Sequence, residues 1–153
     1  MNGHGDRQRI ETEIASLFEQ AGSLKEELQA SLARYACVLA ASYLEAAFRE
    51  LASSYTRSRT GDTIRRYVDS TLGTFRDPNM EKILQLLGRF SEEYRRSLEE
   101  QTVGKLKDSV DSIAANRNNV AHGRQSGISL GQVQKYYYDA RTVVSKAKAI
   151  LNV

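Results

Sequence analysis

The chain of 153 residues contains few of the residues that break helices or bind metals: one proline, one cysteine and two histidines. The single proline is Pro78, and the long stretches without one are rich in Ala, Leu, Glu, Arg and Lys, which favour helix. The single cysteine, Cys37, cannot form an internal disulfide, and we interpret it as a small buried core residue. Because there is no cysteine pair and no His-x-x-x-His spacing, we expect no zinc site and no cofactor.

Long apolar segments are also missing from the sequence. No apolar run approaches the roughly 20 residues that cross a membrane, and residues 1–9 are polar, unlike the apolar core of a signal peptide. We therefore expect no membrane partner, and a lone cysteine fits the reducing cytoplasm. No segment reads as a strand, so a glycine-rich phosphate loop of the kind that follows a strand is not expected either.

Length and residue pattern predict one all-α domain over residues 10–153, preceded by a flexible N-terminal tail over residues 1–9. The segment 35–48 is apolar nearly all round, which is typical of the central helix of a bundle. We expect helices at about 6–21, 23–55, 62–72, 78–89, 91–100, 104–123 and from 129 onward. The predicted fold is a helical bundle with a long central helix, short helices in the middle and two long C-terminal helices.

Several local signals mark where these helices begin and end. Ser23 with Glu26, and Ser129 with Gln132, have the spacing of a capping box. Asp77 is the expected N-cap of the helix that has Pro78 in its first turn. Gly123 is the expected C-terminal stop of the helix before it.

Positive charge is concentrated near the C-terminus. Residues 117–153 contain six Lys or Arg and one acid, Asp139, for a net charge of +5, so residues 1–116 must carry −2 of the total of +3. This asymmetry predicts a polyanion such as RNA as a partner. A solvated helix face is the alternative interpretation.

The segment 117–123 reads Arg-Asn-Asn-Val-Ala-His-Gly and combines groups that bind a phosphodiester and move protons without a metal. A histidine such as His122 can take a proton from a 2′-hydroxyl or give one to a leaving 5′-oxygen. Arg117 can bind two phosphate oxygens and stabilise the charge of a five-coordinate phosphorus. Asn118 would position these groups, with Asn119 in a supporting role.

Arg117 stands where the helical pattern expects an apolar residue, because the apolar stripe at positions 103, 106, 110 and 113 continues to 117. A charge there needs a partner, a cleft or an interface. Glu45, the only acid within residues 35–48, is a candidate partner that would anchor the arginine. The alternative is a local pair between Glu45 and Arg49. A purely structural reading also stands, in which Arg117 pairs with an acid and His122 only completes the helix.

Five positions separate Arg117 from His122, which is a rotation of about 140° on a regular helix, so the two side chains would not share a face. They would converge if the last helical turn loosened, which Gly123 permits. Alternatively, two chains would bring two copies of the motif together.

Further RNA-binding candidates lie outside the motif: Arg124, Lys135, Arg141 and Tyr137. A ring in the run 136–138 is able to stack on bases. We favour the alternative that one ring lies in the core and the others lie along a half-buried helix face. The arginines at 57, 59, 65 and 66 are interpreted as solvated rather than as phosphate contacts.

At these residues the chain resembles the HEPN superfamily of small helical domains. The family motif is R-x-x-x-x-H with a polar residue after the arginine, and Arg117, Asn118 and His122 match it. Many members also have an acid followed four residues later by a base on an early helix, as at Glu45 and Arg49. Residues 42–51 further resemble the RiboL-PSP-HEPN branch and a second branch found, like it, in bacterial conflict systems.

The resemblance implies a metal-independent endoribonuclease, a toxin or defence effector, that leaves 2′,3′-cyclic phosphate and 5′-hydroxyl ends. It also implies a homodimer whose two Arg–His motifs face one another, with an antitoxin or a larger defence system as a possible partner. HEPN toxins paired with a nucleotidyltransferase often have tyrosine two residues after the histidine. That position is Arg124 here, so regulation by tyrosine modification is not supported.

Two other functions remain open at this point. One is a non-catalytic HEPN module that binds RNA or nucleotide, or dimerises within a larger system. The other is a plain helical adaptor that binds no RNA.

Overall fold

The computed structural model describes residues 3–153, with side chains from residue 5 onward. Helices make up 80% of the described residues, among which no strand occurs. In chain order the helices are α1 (Gly3–Ala21), α2 (Glu26–Arg57), α3 (Asp62–Leu72), α4 (Met80–Gly88), α5 (Glu92–Thr102), α6 (Lys105–Ala121) and α7 (Leu130–Leu151). The prediction of an all-α bundle is confirmed.

The 32-residue helix α2 is the centre of the bundle, as its apolar middle predicted. It packs against α1, α3, α6 and α7. Leu44 and Phe48 of α2 are almost fully buried, together with Ile14 of α1, Ile113 of α6 and Val143 of α7. A long helix with apolar side chains on most of its faces is covered only when neighbours surround it, and here the neighbours are the helices at both ends of the chain.

The short helices α3, α4 and α5 are inserted between the two long helices α2 and α6. Helices α4 and α5 pack against each other, and α5 reaches α7, while α3 packs against α2 alone among the pairs with substantial contact. The segment between α3 and α4 passes close to both α2 and α6, where it contributes to the candidate site.

The expected flexible tail over residues 1–9 is helical from Gly3 onward. Arg7 explains this order, since its guanidinium pairs with Glu50 of α2 at 2.8 Å and with Glu11 at 2.7 Å. The hydrogen bond to Glu50 raises the pKa of Arg7. Residues 1 and 2 lie outside the described part of the chain.

Two of the four predicted helix signals are confirmed. Ser129 and Gln132 form the full capping box of α7, and Gly123 follows the end of α6 with a positive φ of 65°. The Ser23 box was wrong, because the Ser23 hydroxyl donates backwards to the carbonyl of Gln20 and α2 begins at Glu26. Asp77 as the cap of α4 was also wrong: Asn79 caps that helix.

Among the described residues, none of the helices is both long and apolar enough to pass through a lipid bilayer.

Candidate active site

Arg117 lies at the edge of a cleft rather than in the core. The apolar stripe that precedes it is buried at Val110 and Ile113, but Val103 is 78% exposed. The Arg117 side chain is 33% exposed, and its Nε forms an ion pair with Oδ1 of Asp77 at 3.0 Å. The charge that broke the apolar pattern is therefore compensated by a carboxylate and still reaches solvent.

The prediction that Glu45 pairs directly with Arg117 is wrong. It pairs instead with Arg49 at 2.8 Å, the local alternative, and its other oxygen accepts the main-chain N–H of Asp77 at 3.1 Å. The physical reason is that the segment between α3 and α4 lies between the two side chains. Glu45 thus supports Arg117 indirectly, because it holds the main chain of Asp77, whose carboxylate pairs with Arg117.

The segment that carries Asp77 is held at several main-chain atoms. Arg49 donates to the carbonyl of Phe75 at 2.6 Å, and Lys82 donates to the carbonyls of Arg76 and Asp77 at 3.1 and 3.3 Å. Asp77 has a φ of 48°, in the left-handed region that aspartate enters more readily than most residues. Sequence reasoning missed its role, because the Asp-Pro pair was interpreted only as a helix start.

The cleft beside Arg117 has a volume of about 730 Å³ and lies between α4, the end of α5 and α6. Asn118 also lines it. Four acidic and three basic side chains line the cleft: Asp77, Glu81, Glu99, Asp111, Lys82, Lys107 and Arg117. These give a net charge of −1, so the cleft of a single chain does not have the positive excess that binding a polyanion favours.

Asp111 illustrates how the acids of this cleft are already engaged. Its Oδ1 accepts the main-chain N–H of Met80 at the start of α4, at 2.9 Å. Its Oδ2 pairs with Lys107 at 2.7 Å, and this hydrogen bond raises the pKa of Lys107. The interaction ties α6 to the first turn of α4 and so fixes two walls of the cleft.

His122 is the C-cap of α6, and the helix remains regular up to it. The N–H of His122 donates to the carbonyl of Asn118 at 3.1 Å, which is the ordinary helical step. The next two N–H groups close a Schellman motif, with Gly123 donating to Val120 at 3.2 Å and Arg124 to Asn119 at 2.8 Å. Of the two routes by which Arg117 and His122 would converge, a loosened last turn is therefore not the one that the structure has.

The exposed His122 does not line the cleft that Arg117 and Asn118 share. Within one chain the two chemical groups of the motif thus stay on different faces, as the rotation of about 140° predicts. The proposal that two chains combine their motifs is the route that remains.

Asn116 is a polar residue of α6 that the sequence analysis did not single out. Its Oδ1 accepts from the hydroxyl of Ser126 at 2.7 Å, and its Nδ2 donates to the carbonyl of Ser112 at 2.8 Å. These bonds tie the loop after His122 back to the helix. The only hint in the sequence was an asparagine one residue before the motif.

Tyr137, one of the RNA-binding candidates, is buried and only 5% exposed, so it is not available to stack on a base. Its ring packs edge-on against Tyr43 with centroids 5.2 Å apart. Burial raises the pKa of Tyr137 to about 12. The preferred interpretation of the tyrosine run, one ring in the core and others outside, is correct, since Tyr138 is exposed.

The other candidates, Arg124, Lys135 and Arg141, are exposed, and none of them lines the cleft. Arg141 lies over the ring of Tyr137 at 5.9 Å. Arg124 lines a shallow depression together with Arg34 of α2 and the loop after His122. Arg124 and Arg34 therefore lie beside the loop that follows His122, outside the cleft.

A family model for RiboL-PSP-HEPN matches residues 6–152, nearly the whole chain. The chain belongs to this family. Membership in this HEPN family indicates a nuclease or RNA-related role. No curated protein and no solved structure gave a significant match. In this RiboL-PSP-HEPN protein, the R-x-x-x-x-H motif therefore lies at the C-terminal end of α6, with its arginine on the cleft side.

Proposed function

We propose that the protein is a metal-independent endoribonuclease, acting as a toxin or a defence effector. In this proposal a 2′-hydroxyl of RNA attacks the neighbouring phosphodiester and leaves a 2′,3′-cyclic phosphate and a 5′-hydroxyl. The family membership supports an RNA-related role, and the motif supplies a cation and an imidazole suited to this reaction.

Arg117 is the proposed phosphate-binding group. The observation that carries the proposal is its placement: a half-exposed guanidinium at the rim of a cleft, bound to protein through Nε. Among residues 5–153 its two terminal nitrogens make no hydrogen bond, so they are available to bind non-bridging phosphate oxygens. Asn118 beside it would orient the scissile group.

His122 is the proposed general acid and base, and a homodimer would bring it to the arginine. Because one chain presents the two groups on different faces, we infer that Arg117 of one protomer acts with His122 of its partner. The dimer would also add Arg124 and Arg34, which flank the histidine loop, and so offset the acidic excess of the cleft.

The test is cleavage of a labelled RNA in EDTA by the wild type, His122→Ala and Arg117→Ala. Loss of the imidazole should lower the rate by about 10²–10⁴-fold, the usual contribution of positioned proton transfer. Arg96→Ala is a charge-matched control, since Arg96 is exposed on α5 and does not line the cleft. Equal rates for all four proteins would refute the site, and loss of wild-type activity in EDTA would refute the metal-independent mechanism.

The second candidate function is a non-catalytic HEPN module that binds RNA or nucleotide, or that dimerises within a larger system. The acidic excess of the cleft in a single chain is unfavourable for a polyanion, so it favours the dimerising form of this module. Wild-type protein that binds RNA with the salt dependence of phosphate contacts but never cuts it would support this function.

A further inference from the structure

We propose that Asp77 is a positioning residue, which holds Arg117 by Nε so that the two terminal nitrogens of the guanidinium present a fixed fork to the phosphate. This inference rests on the proposed function and extends it to a residue outside the HEPN motif. It starts from the 3.0 Å contact between Asp77 Oδ1 and Arg117 Nε, which joins α6 to the segment between α3 and α4.

Asp77 is held through its main chain, while its carboxylate pairs with Arg117. Glu45 accepts its main-chain N–H at 3.1 Å, and Lys82 donates to its carbonyl at 3.3 Å. Arg49 fixes the same segment two residues earlier, through the carbonyl of Phe75 at 2.6 Å. Two side chains of α2 and one of α4 thus hold the main chain around Asp77. The position of the Asp77 carboxylate against Arg117 therefore depends largely on the central helix α2.

The chemistry of the guanidinium gives this contact a directional effect. Arginine has one N–H on Nε and four on its terminal nitrogens, in a rigid plane. A carboxylate on Nε fixes that plane while the terminal pair stays available for bidentate phosphate binding. An arginine with free rotamers would lose side-chain entropy each time it bound substrate, and preorganisation removes that cost before binding.

The opposite effect of Asp77 is also physically reasonable, and it makes the proposal refutable. A carboxylate near a phosphate-binding group repels the substrate, and Asp77 is one of four acids in a cleft with a net charge of −1. If repulsion dominates, removal of Asp77 raises activity. If positioning dominates, removal lowers activity although a negative charge has been taken away.

The experiment compares RNA cleavage by the wild type, Asp77→Ala, Asp77→Asn, Arg117→Ala and the double variant of Asp77→Ala with Arg117→Ala. We expect Asp77→Ala to lower kcat by up to about 100-fold, the effect of a misplaced catalytic group, with a smaller change in KM. Asp77→Asn keeps an oxygen acceptor for the Nε–H of Arg117, so its kcat should lie between those of the wild type and Asp77→Ala. In the Arg117→Ala background, loss of Asp77 should have no further effect, because it acts through the arginine.

Glu100→Gln is the matched control, since it removes an exposed carboxylate of α5 that does not line the cleft. Its kcat should stay close to that of the wild type. Wild-type or higher activity of Asp77→Ala would overturn the proposal. An additive loss in the double variant would also overturn it, since Asp77 would then act independently of Arg117.

An activity-free measurement separates this proposal from the nuclease proposal. The Nε–H resonance of Arg117, assigned by its absence in Arg117→Lys, should exchange slowly in the wild type and rapidly in Asp77→Ala. If the wild type does not cut RNA, the proposed function fails, and slow exchange that depends on Asp77 still supports the positioning contact. Rapid exchange in the wild type overturns the positioning contact whatever the cleavage result.

Discussion

A mixture of two inactive variants should regain activity if the proposed site is shared between protomers. Each chain places Arg117 on the cleft side of α6 and His122 outside the cleft, at the helix end. A homodimer of Arg117→Ala lacks the arginine at both sites, and a homodimer of His122→Ala lacks the histidine at both. A mixed dimer, in contrast, has one site with both groups intact and one site with neither.

The expected magnitude follows from this geometry. Random exchange of subunits makes half of the dimers mixed, and each mixed dimer carries one of its two sites, so about a quarter of wild-type activity should return. Each single variant is expected at about 1% of wild type or less. The mixture should therefore exceed either parent by about 25-fold or more.

The assay mixes equal amounts of the two variants, allows the subunits to exchange and then measures RNA cleavage in EDTA. Differently tagged chains verify that mixed dimers form, because a mixed species is then recovered through either tag. A mixture of Arg117→Ala with itself under both tags is the control for the exchange procedure.

A mixture that forms mixed dimers and stays as inactive as its parents would refute the shared site. In that case Arg117 and His122 either act within one chain, after a rearrangement of the regular end of α6, or do not act together at all. Mixed species that are never recovered would refute the dimer itself.

Two further predictions concern the fold that presents the motif. Burial raises the pKa of the Cys37 thiol from 9.0 to about 11. The unfolded thiol therefore ionises first, and the free energy of unfolding falls by about 3 kcal/mol between those pH values. Cys37→Ala should lack this fall. The free energy of unfolding in urea, measured below pH 9 and near pH 11, should therefore decrease more with pH in the wild type than in Cys37→Ala. A difference between the two proteins that does not change with pH contradicts the assignment. Gly123→Ala should cost about 1 kcal/mol, because φ is 65° there. Its melting temperature should fall by about 2–4 °C. Gly127→Ala is the control, since Gly127 has no positive φ and open space around it, and its melting temperature should change little. Equal melting temperatures for the two variants would show that the turn at Gly123 adapts to a side chain.

The sequence predicted the elements whose signals are local. The apolar middle of α2 identified the central helix, and the bounds expected for α3, 62–72, agree with the structure. Ser129 and Gln132 cap α7 as their spacing indicated. These features depend on residues within one or two turns of each other, so the chain alone defines them.

The failures occurred where a distant residue competes for the same group. Asp77 was expected to cap α4, but its carboxylate binds Arg117 forty residues later, and Asn79 caps the helix instead. Glu45 was expected to reach Arg117, but the segment that carries Asp77 takes its free oxygen. No local pattern encodes which acid a cation will pair with after folding. The sequence therefore showed that Arg117 interrupts an apolar stripe, but it did not show that Asp77 is its partner.

The motif itself could be found from the sequence, but its geometry could not be fully predicted. The stripe of apolar positions pointed to Arg117, and a rotation of about 140° correctly separated it from His122. Whether the last turn of α6 would loosen depended on the hydrogen bonds of Gly123 and Arg124, which close the helix instead. The roles of these residues in RNA cleavage stay predictions until the variants above are measured.

The way in which α6 ends has a consequence for engineering. Because main-chain N–H groups and one glycine terminate the helix, no side chain among residues 118–122 is required to stop it. The exposed positions there, Asn118 and His122, should therefore accept residues other than proline while the end of the helix is kept. Under the proposed nuclease function, a library at those two sites would compare folded variants by their reactivity, so new substrate preferences could be selected without first restoring stability.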